Sequence, residues 1–221
     1  MAEKQKKEKL VRVLTPPGYL SFPRFHAPGE TRYDLGFYHG DLFISAEDMQ
    51  SEDGVNFQKK LIEVARKFTG HASVSLKDPT FTLPQLMTDG VTQIPGKQFH
   101  FPVHDTSKFD PEAFAKLPDV IKASKFFKIS GKNKFAPSLK ARDGKTNLTP
   151  AEIAALRGGE RVRYQVDLNP YEMDTKTVSL TGISLRLVGV QYLDVGTPFG
   201  GSVSFESIEI KPGDMTNDGL M

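Results

Sequence analysis

Between Lys125 and Thr146 the chain reads KFFKISGKNKFAPSLKARDGKT, in which Lys and Arg recur among Phe residues and Asp143 is the lone acid. Cations at this density suit phosphate groups, and ring faces suit flat bases. Together they hold single-stranded nucleic acid without reading its sequence. Lys125, Lys128, Lys132, Lys134, Lys140 and Arg142 are the candidate phosphate contacts, and Phe126 and Phe135 the candidate stacking rings. A solvated hairpin accounts for the same residues, because lysines also protect edge strands and Phe126, Phe127 and Phe135 would all fit a core. Both readings stand at this point.

A second cationic stretch bears on the choice. In ERVRYQVDLNPYEM, Val162, Tyr164 and Val166 alternate with Arg161, Arg163 and Gln165, the period of a strand with one core face and one cationic face. Two cationic strand faces on one small barrel make a groove, to which Arg161 and Arg163 contribute charge and Tyr171 a further ring. Other chemistries find little support. With no Cys there are no disulfides, thiolate nucleophiles or cysteine zinc sites. His100 and His104 in HFPVH have the spacing of metal ligands, but Pro102 stands between them and no third ligand is near. No phosphate-cradling glycine loop and no nucleophile elbow occur. Asp48 and Glu52 lie in the polar run AEDMQSEDG and read as solvated charge. No enzyme activity, metal or cofactor is expected.

The elements that must position these residues are short strands. With 221 residues, 38% hydrophobic and 25% charged, the composition is that of a soluble globular chain. No apolar run reaches the roughly 20 residues of a membrane span. The N-terminus lacks a secretory apolar region, so a cytoplasmic location is expected. Net charge is only +2, but it is unevenly spread: Asp41, Glu47, Asp48, Glu52 and Asp53 cluster before the helix, and the lysines of 122–145 follow it. VRVLTPPGYLSFPRF reads as strand, turn, strand, and YDLGFYHGDLFIS as a long strand ending at an acidic loop. From Asn56, the positions of Phe57, Leu61, Val64, Ala65 and Phe68, with Gly70 behind, predict the clearest helix. Thr149, Pro150 and Glu152 predict a short second helix opened by a capping box. The expected architecture is mainly β: an OB-fold, a five-stranded Greek-key barrel. A basic mobile arm (1–9) precedes one domain (10–204) with a loop-rich insertion at about 71–123, and a short, weakly acidic tail (205–221) follows.

At RGGERVRYQVDLNPYEMDTKTVSLTGISLRLVGVQYLDV the chain resembles the replicative single-stranded-DNA-binding proteins of tailed phages, the podophage type and its relatives. The shared order is a Gly-rich turn, an alternating basic strand, a Pro-aromatic corner and a long apolar strand. It is preceded by DGKTNLTPAEIAAL and, earlier, by TPPGYLSFPRFHAP and YHGDLFIS. The resemblance implies an OB-fold that binds and protects single-stranded DNA during phage replication, recombination and repair. It also implies phage DNA polymerase and helicase-primase as partners, and a homodimer. The family's tail is strongly acidic with a terminal aromatic, whereas here Glu206, Glu209, Asp214 and Asp218 stand against Lys211 and the chain finishes in Leu220-Met221. The alternative from a different class is a β-rich structural or adaptor protein whose basic face meets another protein.

Overall fold

The computed structural model describes residues 10–31, 34–70, 91–94, 97–174 and 179–196. The expected N-terminal arm, the first part of the insertion and the acidic tail lie outside the described residues. In chain order the strands are β1 (Val11–Leu14), β2 (Gly18–Arg24), β3 (Tyr38–Ser45), β4 (Val91–Ile94), β5 (Lys97–His100), β6 (His104–Asp105), β7 (Phe126–Asn133), β8 (Ser138–Lys140), β9 (Arg161–Asp174) and β10 (Ser179–Asp194). The helices are α1 (Ala46–Gln50), α2 (Glu52–Thr69), α3 (Pro111–Ala115), α4 (Asp119–Lys122) and α5 (Pro150–Ala155).

The alternation of β9 organises the molecule. Val162, Tyr164, Val166 and Leu168 are buried, and β10 pairs antiparallel with β9 from Ser179↔Asp174 to Asp194↔Arg161, with irregularities at Leu187/Gly189 and Tyr192/Asp194. From β10 the pairing passes to β7 in parallel, then antiparallel to β3 and to β2. It returns to β9 through Gly18↔Val162 and Tyr19↔Arg161. β1 extends β9, β5 and β4 extend β10, and β6 and β8 add short pairings to β7 and β10. The protein is thus mainly β, on one mixed sheet with few helices.

Because side chains alternate, every second residue along β3, β7, the described parts of β9 and β10, and β2 as far as Leu20 turns toward the core. Leu20, Leu42, Ile44, Phe127, Ile129, Leu185 and Leu187 do so, joined by Phe57, Leu61, Ile62 and Ala65 from α2. Burying each of the Leu, Ile and Phe side chains stabilises by about 1.5 to 3 kcal/mol. Gly40 leaves room for two rings: a Cβ there would lie 2.7 Å from the Tyr164 hydroxyl and 2.8 Å from the Phe25 ring. The Tyr164 hydroxyl donates to the Asp41 carbonyl at 3.2 Å.

Local signals are obeyed closely at α5, where Thr149 and Glu152 form the reciprocal capping box and Pro150 opens the helix. The acidic run departs from expectation. It is helical, with Ser45 capping α1 and Ser51 capping α2, and α2 therefore starts at Glu52. Acids in a first turn offset the positive end of the helix dipole, which favours a helix over a loop in this run. The insertion also contributes to the main core, because Phe99, Phe101 and Val103 are buried there.

Candidate nucleic-acid interface

Residues directly opposite in an antiparallel pair share a face. Lys128 on β7 is opposite Phe43 on β3, Phe43 is opposite Tyr19 on β2, and Tyr19 is opposite Arg161 on β9. One outward row therefore links the two basic segments. Its cations are engaged within the protein. Lys128 pairs with Asp41 at 2.7 Å, and Lys125 beside it pairs with the buried Asp105 at 3.3 Å. Arg161 donates to both carboxylate oxygens of Asp48 at 3.1 Å and lies 4.9 Å above the Tyr19 ring. Asp48, read from sequence as solvated charge, is a partner of the basic strand. Phe126 corrects the sequence reading. It is 4% exposed and meets Tyr19 edge-on at 6.0 Å beneath Ile121, so neither ring face is open to a base.

Past the row of Ser130, Asp41 and Ser21, the last outward row of β7 is different. Lys132 is opposite His39, His39 is opposite Arg24, and on the other side Lys132 is in parallel register with Arg186. Arg186 in turn faces Asp167, and Asp167 faces Arg12. The Asp167 carboxylate is shared by Arg12 at 2.7 Å and Arg186 at 2.5 Å, so two guanidiniums meet one acid. Lys132, Lys134 and Arg24 have no carboxylate partner among the described residues. The ammonium groups of Lys132 and Lys134 sit 5.5 and 5.8 Å from the Phe37 ring centroid, a cation–π arrangement that leaves both charges uncompensated. His39 contacts Asp34 at 2.9 Å. Bonds from Thr31, with a smaller part from His39, hold the Asp34 carboxyl below its usual range against the opposing effect of desolvation. Just past β7, Phe135 is 77% exposed.

The remaining predicted cations form a third group. Arg163, Gln191 and Lys140 are in register across β9, β10 and β8. Arg163 donates to Gln191 at 2.7 Å and reaches Asp53 at 3.5 Å, while Lys140 donates to Asn147 at 2.6 Å. Gln191 donates to the Arg142 carbonyl at 2.8 Å, holding the loop that carries the exposed Arg142 guanidinium. Tyr171 stands apart from all three groups. It is opposite Gly182 on β10, and burial raises its phenol pKa.

The structure thus divides one predicted groove into three clusters and brings Lys132, Lys134 and Phe135 together with residues the sequence reading omitted. Arg186 has a legible signal, a lone cation between Leu185 and Leu187 in a strand-like alternation. Arg24 and Phe37 have none, since cross-strand register places Arg24 and Phe37 comes in from the turn ahead of β3. Among the described residues no group of three or more His, Cys, Asp or Glu is arranged to hold a metal ion. No helix among them is long and apolar enough to cross a membrane.

No protein-family model and no curated protein sequence matches the chain. Solved structures do match. The single-stranded DNA-binding protein from bacteriophage Enc34 in complex with ssDNA superposes with a TM-score of 0.52 at 18% identity, covering 90% of this chain and 100% of that one. Another structure of the Enc34 protein gives 0.51 at 18% identity, covering 89% and 96%. The bacteriophage T7 protein gp2.5, also a single-stranded DNA-binding protein, gives 0.50 at 15% identity, covering 95% and 100%. The chain shares the fold of these phage proteins. Because nearly the whole of each partner is covered, the likeness extends through the sheet and is not confined to one motif.

Proposed function

We propose that this protein binds single-stranded DNA, without strong sequence preference, on the outer face of β2, β3, β7 and β10. In this reading the path β2, β3, β7, β10, β9 and back to β2 is the five-stranded barrel of an OB-fold, whose outer strands and flanking loops take oligonucleotides. The observation that carries the proposal is the row Arg186, Lys132, His39, Arg24, with unpaired Lys134 and exposed Phe135 beside it. Cations without carboxylate partners can release counterions from phosphates without first breaking an internal pair. Lys132, Lys134 and Arg24 are assigned to phosphates and Phe135 to a base, with Arg186 adding charge nearby because it shares the single Asp167 carboxylate with Arg12. Lys140, Arg142 and Arg163 form a second basic patch along the same sheet. Lys125, Lys128 and Arg161 chiefly tie the strands to their acidic neighbours. The fold shared with the phage proteins supports the reading, and it extends to replication, recombination and repair with no catalytic step. Polymerase, helicase-primase and a second copy are the partners to test by co-elution.

The experiment is fluorescence anisotropy with labelled oligo-dT and with a duplex of equal length. Saturable binding to oligo-dT, with weaker binding to duplex, is expected. Equal binding to both would overturn the single-strand preference and leave a general nucleic-acid-binding face, and no binding to either would overturn the proposal in favour of a protein-binding face.

A further inference from the structure

Phe22 occupies a place that strand alternation would turn inward. Leu20 on the same strand is buried, so a regular β2 would send Phe22 into the core above Gly40. Instead the register slips between Ser21↔Asp41 and Arg24↔His39, with one residue more on β2 than on β3, a β-bulge. Phe25 takes the space over Gly40, packing edge-on against Tyr164 at 6.4 Å. Phe22 is expelled, 75% exposed, with φ at 48°, the only positive value on a non-glycine residue among those described. That backbone region is disfavoured for any residue with a Cβ, and a residue before proline is normally extended. A large apolar ring held outward against both preferences is the kind of local strain that gathers at binding sites.

Its surroundings suit a nucleotide. A cleft of about 620 Å³ opens beside the ring, walled by Arg24, His26, Leu156 and Arg157. Arg24 and Arg157 have no carboxylate partner among the described residues, while the cleft's acids are already engaged, Asp34 by His39 and Asp41 by Lys128. The cleft adjoins the Lys132, His39, Arg24 row at its β2 end, and the exposed Phe135 follows the end of β7, the strand that carries Lys132.

We propose that Phe22 is a base-stacking residue, and that the cleft beside it receives the stacked base with Arg24 and Arg157 toward the adjoining phosphates. The inference rests on the single-stranded-DNA reading and adds a subsite to it. A strand crossing the face then meets a ring at each end, with cations between.

The chain contains no Trp, so Phe22→Trp installs the sole indole. Its emission should be quenched as oligo-dT is added, saturating together with the anisotropy of the labelled oligonucleotide. Phe22→Ala should bind oligo-dT about 5- to 150-fold more weakly, the range of one lost stack, with an unchanged salt dependence. On an abasic oligonucleotide Phe22→Ala and the parent should bind alike. Phe22→Gly, which suits the positive φ, should keep or raise the melting temperature while binding as poorly as the Ala variant. Unquenched indole emission in a variant that binds oligo-dT, or parental affinity in Phe22→Ala, would overturn the inference and leave the wider reading intact. Failure of the parent itself to bind would overturn both.

Discussion

Arg161 and Asp48, 113 residues apart in the chain, are joined by two hydrogen bonds of 3.1 Å, Nη1 to Oδ2 and Nη2 to Oδ1. Asp48 also accepts from the Ser45 hydroxyl at 2.7 Å, so the pair fastens the start of β9 to the cap of α1. Arg161 is therefore a strut between strand and helix. The charge asymmetry of the sequence is largely reconciled in the fold, since acids from 41–53 meet cations on β7 and β9.

From that contact, Arg161→Ala should lower stability by about 1 to 3 kcal/mol, the scale of losing one partner of a charged, partly buried hydrogen bond. It should flatten the salt dependence of oligo-dT binding by less than the roughly 0.7 expected of a full phosphate contact. Urea denaturation and a salt titration on the same variant check both. Undiminished stability with a full 0.7 loss of slope would make Arg161 a DNA contact.

Asp167 gives a pH dependence. Its buried carboxylate accepts from Arg12 at 2.7 and 3.2 Å and from Arg186 at 2.5 Å. The Arg12 bond holds its pKa below the ordinary value, burial opposes this, and Arg186 adds to the lowering. A depressed folded-state pKa gives stability that is complete above the unfolded value, about 3.9, and lost as pH falls through the folded one. Asp167→Asn should thus cost about 1 to 3 kcal/mol at neutral pH, with the gap from the parent narrowing below about pH 4. A gap that stays constant from pH 7 to pH 3 would contradict this.

Phe126 and Phe135 should behave oppositely. Phe126→Ala empties part of a packed cluster with Phe43 and Ile121 and should cost about 3 to 5 kcal/mol of stability. Phe135→Leu should leave the melting temperature unchanged and weaken oligo-dT binding by about 1 to 3 kcal/mol. Thermal melts beside anisotropy separate the two. A stability loss for Phe135→Leu would place its ring in the core.

What the sequence discloses follows from the range of the interactions. The α5 capping box, the core of α2 and the inward face of β9 depend on residues within a turn or a strand of one another, and all three were legible. The acidic run reads as a loop from sequence, whereas Ser45 and Ser51 cap two helices there. The fate of Phe126 was not legible. It points outward on β7 and is buried only because Ile121 and its neighbours dock over it. Nor was the grouping of Arg24, Lys132 and Arg186, which cross-strand register alone brings together. The bulge at Phe22 likewise depends on Phe25 and Tyr164 filling the space over Gly40.

The salt dependence of oligo-dT affinity, for the parent and for Lys132→Ala/Lys134→Ala, tests the assignment of the binding face most directly. For three to six phosphate contacts, log affinity should fall with log salt at a slope of roughly −2 to −4. The double variant should bind all sequences more weakly and lose about 1.4 from that slope, two contacts at about 0.7 each. Its melting temperature should match the parent's, because neither lysine has a carboxylate partner among the described residues. A double variant with parental affinity and slope would contradict the assignment and move the binding face away from the far end of β7.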